Sequence, residues 1–270
     1  MEIDPWSYDP SSAAAAAFMV FFSLATIGHI VILFRYRVWY FTPFIIGALF
    51  ETVGYVFRFL GARDTTNLAF FVAQTLLILV APALLAASIY MTLGRLITMV
   101  HGEALSPIRP SWLTKIFVGG DILSFVFQII GSGSITSNFT LAKTVILVGL
   151  VVQILFFGLF IIGAAMFHRR LAANLSSASL ANDNTAHGKG WRGVMHVLYC
   201  ASALIFCRSV FRLIEFTGSS NSPMMTSEAY IYVCDSTLML LCLIITGVFH
   251  PAFYIRRGKA LLYSSGEELS

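Results

Sequence analysis

The chain has 270 residues, of which 58% are apolar and only 11% are charged, and its mean hydropathy is +0.83. A soluble globular domain carries roughly 25% charged residues, so this composition excludes a water-soluble protein and indicates an integral membrane protein. The net charge of +4 would suit an anionic partner, but no basic run interleaved with aromatic residues indicates binding to nucleic acid.

Seven segments of the chain are apolar over the roughly 20 residues that a helix needs to cross a bilayer. In chain order they cover residues 12–34, 40–61, 68–93, 115–136, 143–167, 194–217 and 228–250. We therefore predict an all-α integral membrane protein, a single seven-transmembrane helix bundle over residues 1–270. The N-terminus is acidic, whereas a signal peptide begins with basic residues, so we expect the first segment to be retained as a helix.

Local signals mark the ends and interruptions of these segments. The stretch Pro10-Ser11-Ser12 precedes the first helix and can supply its N-cap. Pro43 lies in the first turn of the second helix, where proline is tolerated. Pro82 lies inside the third segment and predicts a kink there. Residues 168–192, rich in Ala, Ser and Asn, are predicted to form the longest loop.

The basic residues predict how the bundle is oriented. Twelve of the 17 Lys and Arg residues fall in the connections on one side: Arg35, Arg37, Arg95, Arg109, Lys115, Arg169, Arg170, Lys189, Arg192, Arg256, Arg257 and Lys259. Only Arg63 and Lys143 fall on the other side. Since basic loops remain in the cytoplasm, we expect the N-terminus outside and the C-terminus cytoplasmic. The sequon at Asn138 then lies in an outer connection and is a candidate glycosylation site.

The second span carries two charges where hydrocarbon is expected. Glu51 and Arg58 lie seven residues apart, which is two helical turns, so both point from the same helix face. Gly47, Gly54 and Gly61 share that face, a pattern typical of close helix packing. A charge at the centre of a bilayer costs at least ~2.5 kcal/mol, so we predict that this face is a functional interior surface.

Other spans carry polar residues at the same helical spacing. Span six places Arg208, Arg212 and Glu215 on one face. Asp235 in span seven is predicted to lie at the depth of Arg208. Span four adds a polar face formed by Asp121, Ser124, Gln128 and Gly131. Two interpretations stay open: these groups line a pathway for a ligand, or they form buried ion pairs that only join helices.

A metal site is a weaker interpretation. His29, Asp121 and His250 are predicted at similar depth, and His and Asp are good zinc ligands. No His-x-x-x-His pair or other ligand spacing supports a metal, so histidines facing lipid headgroups are favoured. The 4 cysteines fall within predicted spans and are expected to be buried thiols that need no disulfide.

Several motifs resemble those of the fungal lipid-translocating exporter family, whose founding member confers resistance to aminocholesterol. In the first third they are Tyr8-Asp-Pro-Ser, Gly28-His29, Arg35-Tyr-Arg-x-Trp39-Tyr and Gly47-x-x-x-Glu51-x-x-Gly54-Tyr55-x-x-Arg58. In the centre and the last third they are Gly120-Asp121-x-x-Ser124-x-x-x-Gln128-x-x-Gly131-x-Gly133, Phe206-Cys-Arg208-x-x-Phe211-Arg212-x-x-Glu215-x-x-Gly218, Glu228 and His250-Pro251. The central motif departs from the family pattern at Phe127-Gln128 and Gly131-Ser-Gly133.

The resemblance implies seven spans and transport of amphipaths. Relatives are associated with sphingoid long-chain bases, sterol-like toxins or porphyrins, so the substrate does not carry over.

The favoured hypothesis is therefore a multi-pass translocator of amphipathic lipids, not an enzyme, in the plasma membrane. Its candidate substrate-binding residues are Glu51, Tyr55, Arg58, Asp121, Gln128, Arg208, Arg212, Glu215 and Asp235. They predict a polar pocket that opens to the outside, with Asp121 as a second station nearer the cytoplasm. No cofactor is expected, and no Walker A motif for ATP is present. The expected partners are membrane lipids and an amphipathic small molecule.

Two alternatives remain. The first is a seven-helix ligand receptor, which the predicted orientation and the ending His250-Pro251-Ala-Phe-Tyr254 would fit. Against it, span three ends in Met91-Thr-Leu-Gly94-Arg95 and lacks Asp-Arg-Tyr, and no outer connection carries a cysteine. The second alternative is a membrane metallo-hydrolase of lipids, which a bound zinc ion would support.

Overall fold

The computed structural model describes residues 10–133, 139–179, 187–218, 228–251 and 253, and within these residues the chain is helical without strands. The long helices are α1 Ser12–Tyr36, α2 Thr42–Gly61, α3 Leu68–Met99, α4 Pro110–Gly133, α5 Phe139–Ser179, α6 His187–Thr217 and α7 Glu228–Val248. Short 3-10 helices, Trp39–Phe41 and Glu103–Leu105, lie in two connections. In the described residues, 7 helices are long and apolar enough to cross a membrane, which confirms the predicted bundle.

The local signals at the helix ends are confirmed. The side chain of Ser11 accepts a hydrogen bond from the backbone N–H of Ala14 at 3.3 Å and so caps α1. Pro43 lies in the first turn of α2. Helix α3 continues through Pro82 as far as Met99, so the proline interrupts a hydrogen bond without ending the helix.

The prediction of a long loop over residues 168–192 is wrong. Helix α5 continues to Ser179, and α6 begins at His187. Residues 168–179 contain no proline or glycine and are rich in Ala and Leu, which favour helix. Counting apolar residues detects only the part of a helix that lies in hydrocarbon, so a helix that extends past the membrane surface appears shorter than it is.

The helices form a ring in chain order. Each helix from α1 to α6 contacts the next, and α7 contacts both α6 and α1. Helix α3 also contacts α6 across the ring, and its buried residues extend from Gln74 to Ile97. The residues predicted to be polar and intramembrane on α2, α6 and α7 can therefore face a common interior.

Helix α2 packs closely against α3 through two of the predicted glycines. A Cβ atom at Gly47 would lie 2.8 Å from the carbonyl oxygen of Ala81, and one at Gly54 would lie 2.7 Å from Cγ1 of Ile78. Both contacts fall beside Pro82. Small residues here let the two backbones approach, as is usual between membrane helices.

The expectation that every cysteine is a buried thiol is wrong for three of the four, of which Cys234 is half-buried. All 4 cysteines are free, but only Cys242 is buried, whereas Cys200 and Cys207 are exposed on α6. A membrane protein presents apolar side chains to lipid as well as to its own interior, so an apolar position in a span is not necessarily a buried one.

Candidate functional site

Helix α7 presents a polar row to the interior of the ring. Glu228, Tyr232 and Asp235 follow one another at steps of four and three, which places them along one helix face. Asp235 is only 1% exposed, and Glu228 is half-buried at the start of the helix. The first two members of this row contact α2, and Asp235, the last member, contacts α6.

Arg58 of α2 takes its partners from the first part of this row. Its Nη2 lies 2.9 Å from Oε1 of Glu228, and its Nε donates a hydrogen bond to the hydroxyl of Tyr232 at 3.0 Å. The guanidinium also lies over the Tyr232 ring, 5.1 Å from its centroid. The other carboxylate oxygen of Glu228 accepts from the backbone N–H of Ser11 at 2.9 Å. Arg58 therefore joins α2 to α7, and Glu228 extends the contact to the start of α1.

Two arginines of α6 converge on Asp235. The Nε atom of Arg208 pairs with Oδ1 of Asp235, and Nη2 of Arg212 lies 2.6 Å from Oδ2. Arg212 also contacts Oε2 of Glu215 at 3.1 Å through Nη1. The prediction that Arg208 and Asp235 lie at the same depth is confirmed. These contacts join α6 to α7 as the preceding ones join α2 to α7.

Arg208 has a second partner, which explains how α3 joins the group. Its Nη2 donates to the carbonyl oxygen of Ile78 at 2.9 Å. In an uninterrupted helix this carbonyl would accept from the N–H four residues later, but that residue is Pro82, which has no N–H. Arg208 thus supplies the donor that the proline removes, and a buried carbonyl is satisfied.

Helix α7 widens into a π-helix over Tyr232–Ser236. The hydroxyl of Ser236 donates to the carbonyl oxygen of Ile231 at 3.2 Å, and that of Thr237 donates to the carbonyl of Tyr232 at 2.8 Å. Tyr55 of α2 hydrogen-bonds to the Ser236 hydroxyl. Single turns of π-helix often occur at functional sites, and this one contains Asp235.

Glu51 of α2 also lies among these charged side chains, but it forms no ion pair with a described residue. It is 1% exposed, and its Oε1 has no hydrogen-bond partner among the residues that the structure describes. Its electrostatic neighbours are Arg208, Asp235 and Arg212. We call the charged members of this region the ionic layer: Glu51, Arg58, Arg208, Arg212, Glu215, Glu228 and Asp235.

A separate polar group lies between α3, α4 and α5. The hydroxyl of Tyr90 donates to Oδ2 of Asp121 at 3.0 Å, and Nε2 of Gln128 donates to Oε1 of Gln153 at 3.3 Å. The ring of Tyr90 packs against Phe160 with 4.6 Å between centroids. Asp121 and Gln128 are both buried, but within the described ranges their side-chain hydrogen bonds lead to Tyr90 and Gln153 and not to the ionic layer.

The histidines differ from the expectation that they face headgroups. His29 and His250 are 2% and 1% exposed, with 6.1 Å between their ring centroids. His29 is held by a hydrogen bond from Nε2 to the carbonyl of Leu243 at 2.9 Å and packs against Phe44. Aromatic packing buries both rings. In the described part of the chain, no three His, Cys, Asp or Glu side chains are arranged to hold a metal ion.

Sequence reasoning named most of the ionic layer as candidate residues but missed one member, Glu228, and its neighbour Tyr232. Glu228 and Tyr232, the partners of Arg58, were not among the candidate residues, although their spacing from Asp235 places all three on one face. The candidate glycosylation site Asn138 lies outside the described residues.

Known proteins resemble this chain over most of its length. The protein named RTA1 of Saccharomyces cerevisiae is 32% identical over 280 residues, which cover 93% of this chain and 86% of that protein. Protoporphyrin uptake protein 1 of the same yeast is 37% identical over 207 residues, which cover 76% of this chain and 66% of that protein. The probable lipid transporter atnI of Emericella nidulans is 30% identical over 258 residues, which cover 90% of this chain and 66% of that protein.

No solved structure matches the chain. Residues 44–258 match the family described as RTA1 like protein, and this stretch contains the ionic layer, the second polar group and the quoted motifs from Gly47 to His250-Pro251. The resemblance read from those motifs is therefore confirmed, and the chain belongs to the RTA1-like family of fungal membrane proteins.

Proposed function

We propose that this protein moves amphipathic, lipid-like molecules across a membrane, with the polar headgroup entering the ionic layer while the tail remains in lipid. The observation that carries the proposal is the gathering of seven ionisable side chains between α2, α6 and α7, all of them buried except Arg212 and Glu228, which are half-buried. Two relatives are named for the transport of a lipid and the uptake of a porphyrin, which supports the same class of activity.

The cost of the ionic layer argues that it does more than hold helices together. Burying a pair of charges stabilises a protein weakly or not at all, because the loss of hydration offsets the attraction. Polar contacts between membrane helices average only about 0.6 kcal/mol. Packing alone would be served as well by apolar side chains, so charges retained at this depth favour a pathway for polar groups.

The pairs of the ionic layer also connect different helices. Arg58–Glu228 joins α2 to α7, and Arg208–Asp235 joins α6 to α7. A headgroup that carries its own charge can exchange with a member of such a pair and so let the helices separate without leaving an unpaired charge. Sphingoid long-chain bases, sterol-like toxins and porphyrins are the substrates that we propose to compare.

The ionic layer is proposed to open to the outer side of the plasma membrane, as the basic residues predict. Tyr90 and Asp121 would then form the second station, nearer the cytoplasm. Transport would draw its energy from a gradient rather than from ATP, since the chain contains no Walker A motif.

The first test replaces Glu51. Glu51→Gln keeps the size of the side chain but removes its charge, and we expect loss of resistance to a toxic amphipath at unchanged abundance in the membrane. Glu103→Gln is the matched control, because Glu103 is exposed in the connection between α3 and α4. Wild-type resistance of Glu51→Gln at equal abundance would remove Glu51 from the mechanism.

The second measurement identifies the activity directly. Flux of labelled sphingoid base, sterol and porphyrin is recorded in liposomes that contain the purified protein, with empty liposomes as the reference. We expect the protein to accelerate the flux of at least one of them. Agonist-dependent binding of a G protein without lipid flux would favour a receptor instead, and stoichiometric zinc with lipid hydrolysis would favour an enzyme.

A further inference from the structure

We propose that Glu51 is an exchange site, which holds either one proton or the ammonium group of an amphipathic amine, so that each amine that binds displaces one proton. This inference rests on the proposed transport function and names the headgroup and the ion that exchange at the ionic layer. It predicts that amines move in one direction as protons move in the other.

The first argument is the pairing of charges within the layer. Arg58 pairs with Glu228, and Arg208 pairs with Asp235. Arg212 contacts both Asp235 and Glu215. Three guanidinium groups thus match the three carboxylates Glu215, Glu228 and Asp235. Glu51 is the fourth carboxylate, and it forms no ion pair within the described part of the chain.

The second argument is the environment of that carboxylate. Glu51 is 1% exposed, and its Oε1 has no hydrogen-bond partner among the described residues. An ionised carboxylate without a partner is very costly to bury, and such a group takes up a proton or a cation instead. Nε and Nη2 of Arg208 already contact Asp235 and the Ile78 carbonyl. The resting state of Glu51 is therefore the neutral acid, ready to give its proton up when a cation arrives.

The third argument concerns the groups that surround Glu51. Its charged neighbours are Arg208 and Arg212 from α6 and Asp235 from α7. Tyr55 on its own helix and Cys242 on α7 also face it, and both are neutral groups at neutral pH. Since Glu215 and Asp235 offset the two arginines, an ammonium group at Glu51 meets no net positive charge.

Aromatic rings next to Glu51 favour a cation in particular. Tyr55 follows Glu51 by one helical turn and stacks on Phe18 and Phe22 of α1, with 5.7 Å and 5.2 Å between centroids. Phe18 also stacks on Tyr232, with 5.1 Å between the ring centroids. The guanidinium of Arg58 lies over the same Tyr232 ring. Faces of aromatic rings attract cations, and the contact of Arg58 with Tyr232 shows that this aromatic group accepts a cation beside the ionic layer.

The exchange is balanced in atoms and charge. The ammonium group R–NH₃⁺ meets the neutral carboxylic acid of Glu51, and the acid releases H⁺ as its carboxylate pairs with the ammonium. One positive charge enters and one leaves, so the layer keeps its net charge. Release of the amine on the other side requires the carboxylate to take up a proton there.

The test measures proton release on binding. Purified protein is titrated by calorimetry with a long-chain primary amine and with its neutral N-acyl analogue, in two buffers of different protonation enthalpy at the same pH. We expect release of about one proton for each amine bound, and none with the N-acyl analogue. Glu51→Gln should bind the amine about tenfold or more weakly, because it loses a charge-assisted contact.

Two further variants separate the outcomes. Glu51→Asp keeps an exchangeable carboxyl group and should still release a proton, and Glu103→Gln should behave as wild type. Amine binding without proton release, or unchanged proton release in Glu51→Gln, would overturn the exchange site while leaving the transport function intact. Failure of the wild type to bind or move any amine, sterol or porphyrin would overturn the transport function itself.

Discussion

Arg208 contacts two acceptors at once in the interior, and one of them would otherwise lack a backbone donor. Its guanidinium contacts Asp235 through Nε and the Ile78 carbonyl through Nη2. The planar guanidinium can serve both because its donors point in fixed and different directions, whereas the ammonium of a lysine is a single point charge. Arg208 thus satisfies the Ile78 carbonyl that Pro82 leaves without a backbone donor, so this part of α3 can be buried.

This arrangement predicts that Pro82 and Arg208 are coupled. Arg208→Lys should destabilise the protein, but less so in a Pro82→Ala background, where the restored N–H satisfies the Ile78 carbonyl. A hydrogen bond from a charged donor is worth about 1.5–3 kcal/mol, so we expect a coupling energy of about 1–2 kcal/mol. The measurement is unfolding in detergent of the wild type, both single variants and the double variant.

A control is available within the same chain. Arg109 is exposed at the start of α4, so Arg109→Lys should leave stability unchanged in either background. If the effects of Arg208→Lys and Pro82→Ala add without coupling, Arg208 does not substitute for the missing N–H.

At the scale of helices, the contact between α2 and α3 sets the position of Glu51 and Arg58. Gly47 approaches backbone, the carbonyl of Ala81, whereas Gly54 approaches a side-chain atom, Cγ1 of Ile78. A methyl group can displace a side chain more easily than a helix backbone. The two glycines should therefore differ in their tolerance of substitution.

We expect Gly47→Ala to destabilise the bundle by about 1–3 kcal/mol, the usual cost of overpacking, and Gly54→Ala to cost less. Gly28→Ala is the matched control, because a Cβ atom there meets nothing within 4 Å, and alanine favours helix over glycine. Thermal unfolding of the three variants in detergent ranks them. Equal effects at all three positions would mean that the close approach of α2 and α3 does not limit stability.

The helices and their polar faces were predictable because both depend on local pattern. The spacing of Glu51 and Arg58 places them on one face, and both are buried. Their partners were not predictable in the same way. Two turns separate the pair by about 10 Å along the axis, so Arg58 pairs instead with Glu228, whose approach depends on how α7 packs in the ring.

The π-helix of α7 was beyond sequence reasoning for a related reason. Nothing in Tyr232–Ser236 breaks the helical pattern, since it contains no proline or glycine. In the wider turn, the hydroxyls of Ser236 and Thr237 donate hydrogen bonds to the carbonyls five residues earlier. Tyr55 of α2 also hydrogen-bonds to the Ser236 hydroxyl. The contact from Tyr55 exists only once α2 and α7 are packed together.

For the whole molecule, the ionic layer lies toward one end of the ring. Arg58 is near the end of α2, Glu215 is near the end of α6, and Glu228 begins α7. Since α2 and α6 run in the direction opposite to α7, these three positions meet on the same side. The pair His29–His250 belongs to the opposite end, where α1 and α7 approach their C-terminal ends.

The side that carries the ionic layer is predicted to face outward, because its connections carry few basic residues. Arg63 follows α2 on that side and Glu103 follows α3 on the other, and both are exposed. In a background without the four native cysteines, Arg63→Cys should react with a membrane-impermeant maleimide on intact cells. Glu103→Cys should react only after permeabilisation. The reverse pattern would turn the ionic layer toward the cytoplasm, and the amine would then exchange with a cytoplasmic rather than an external proton.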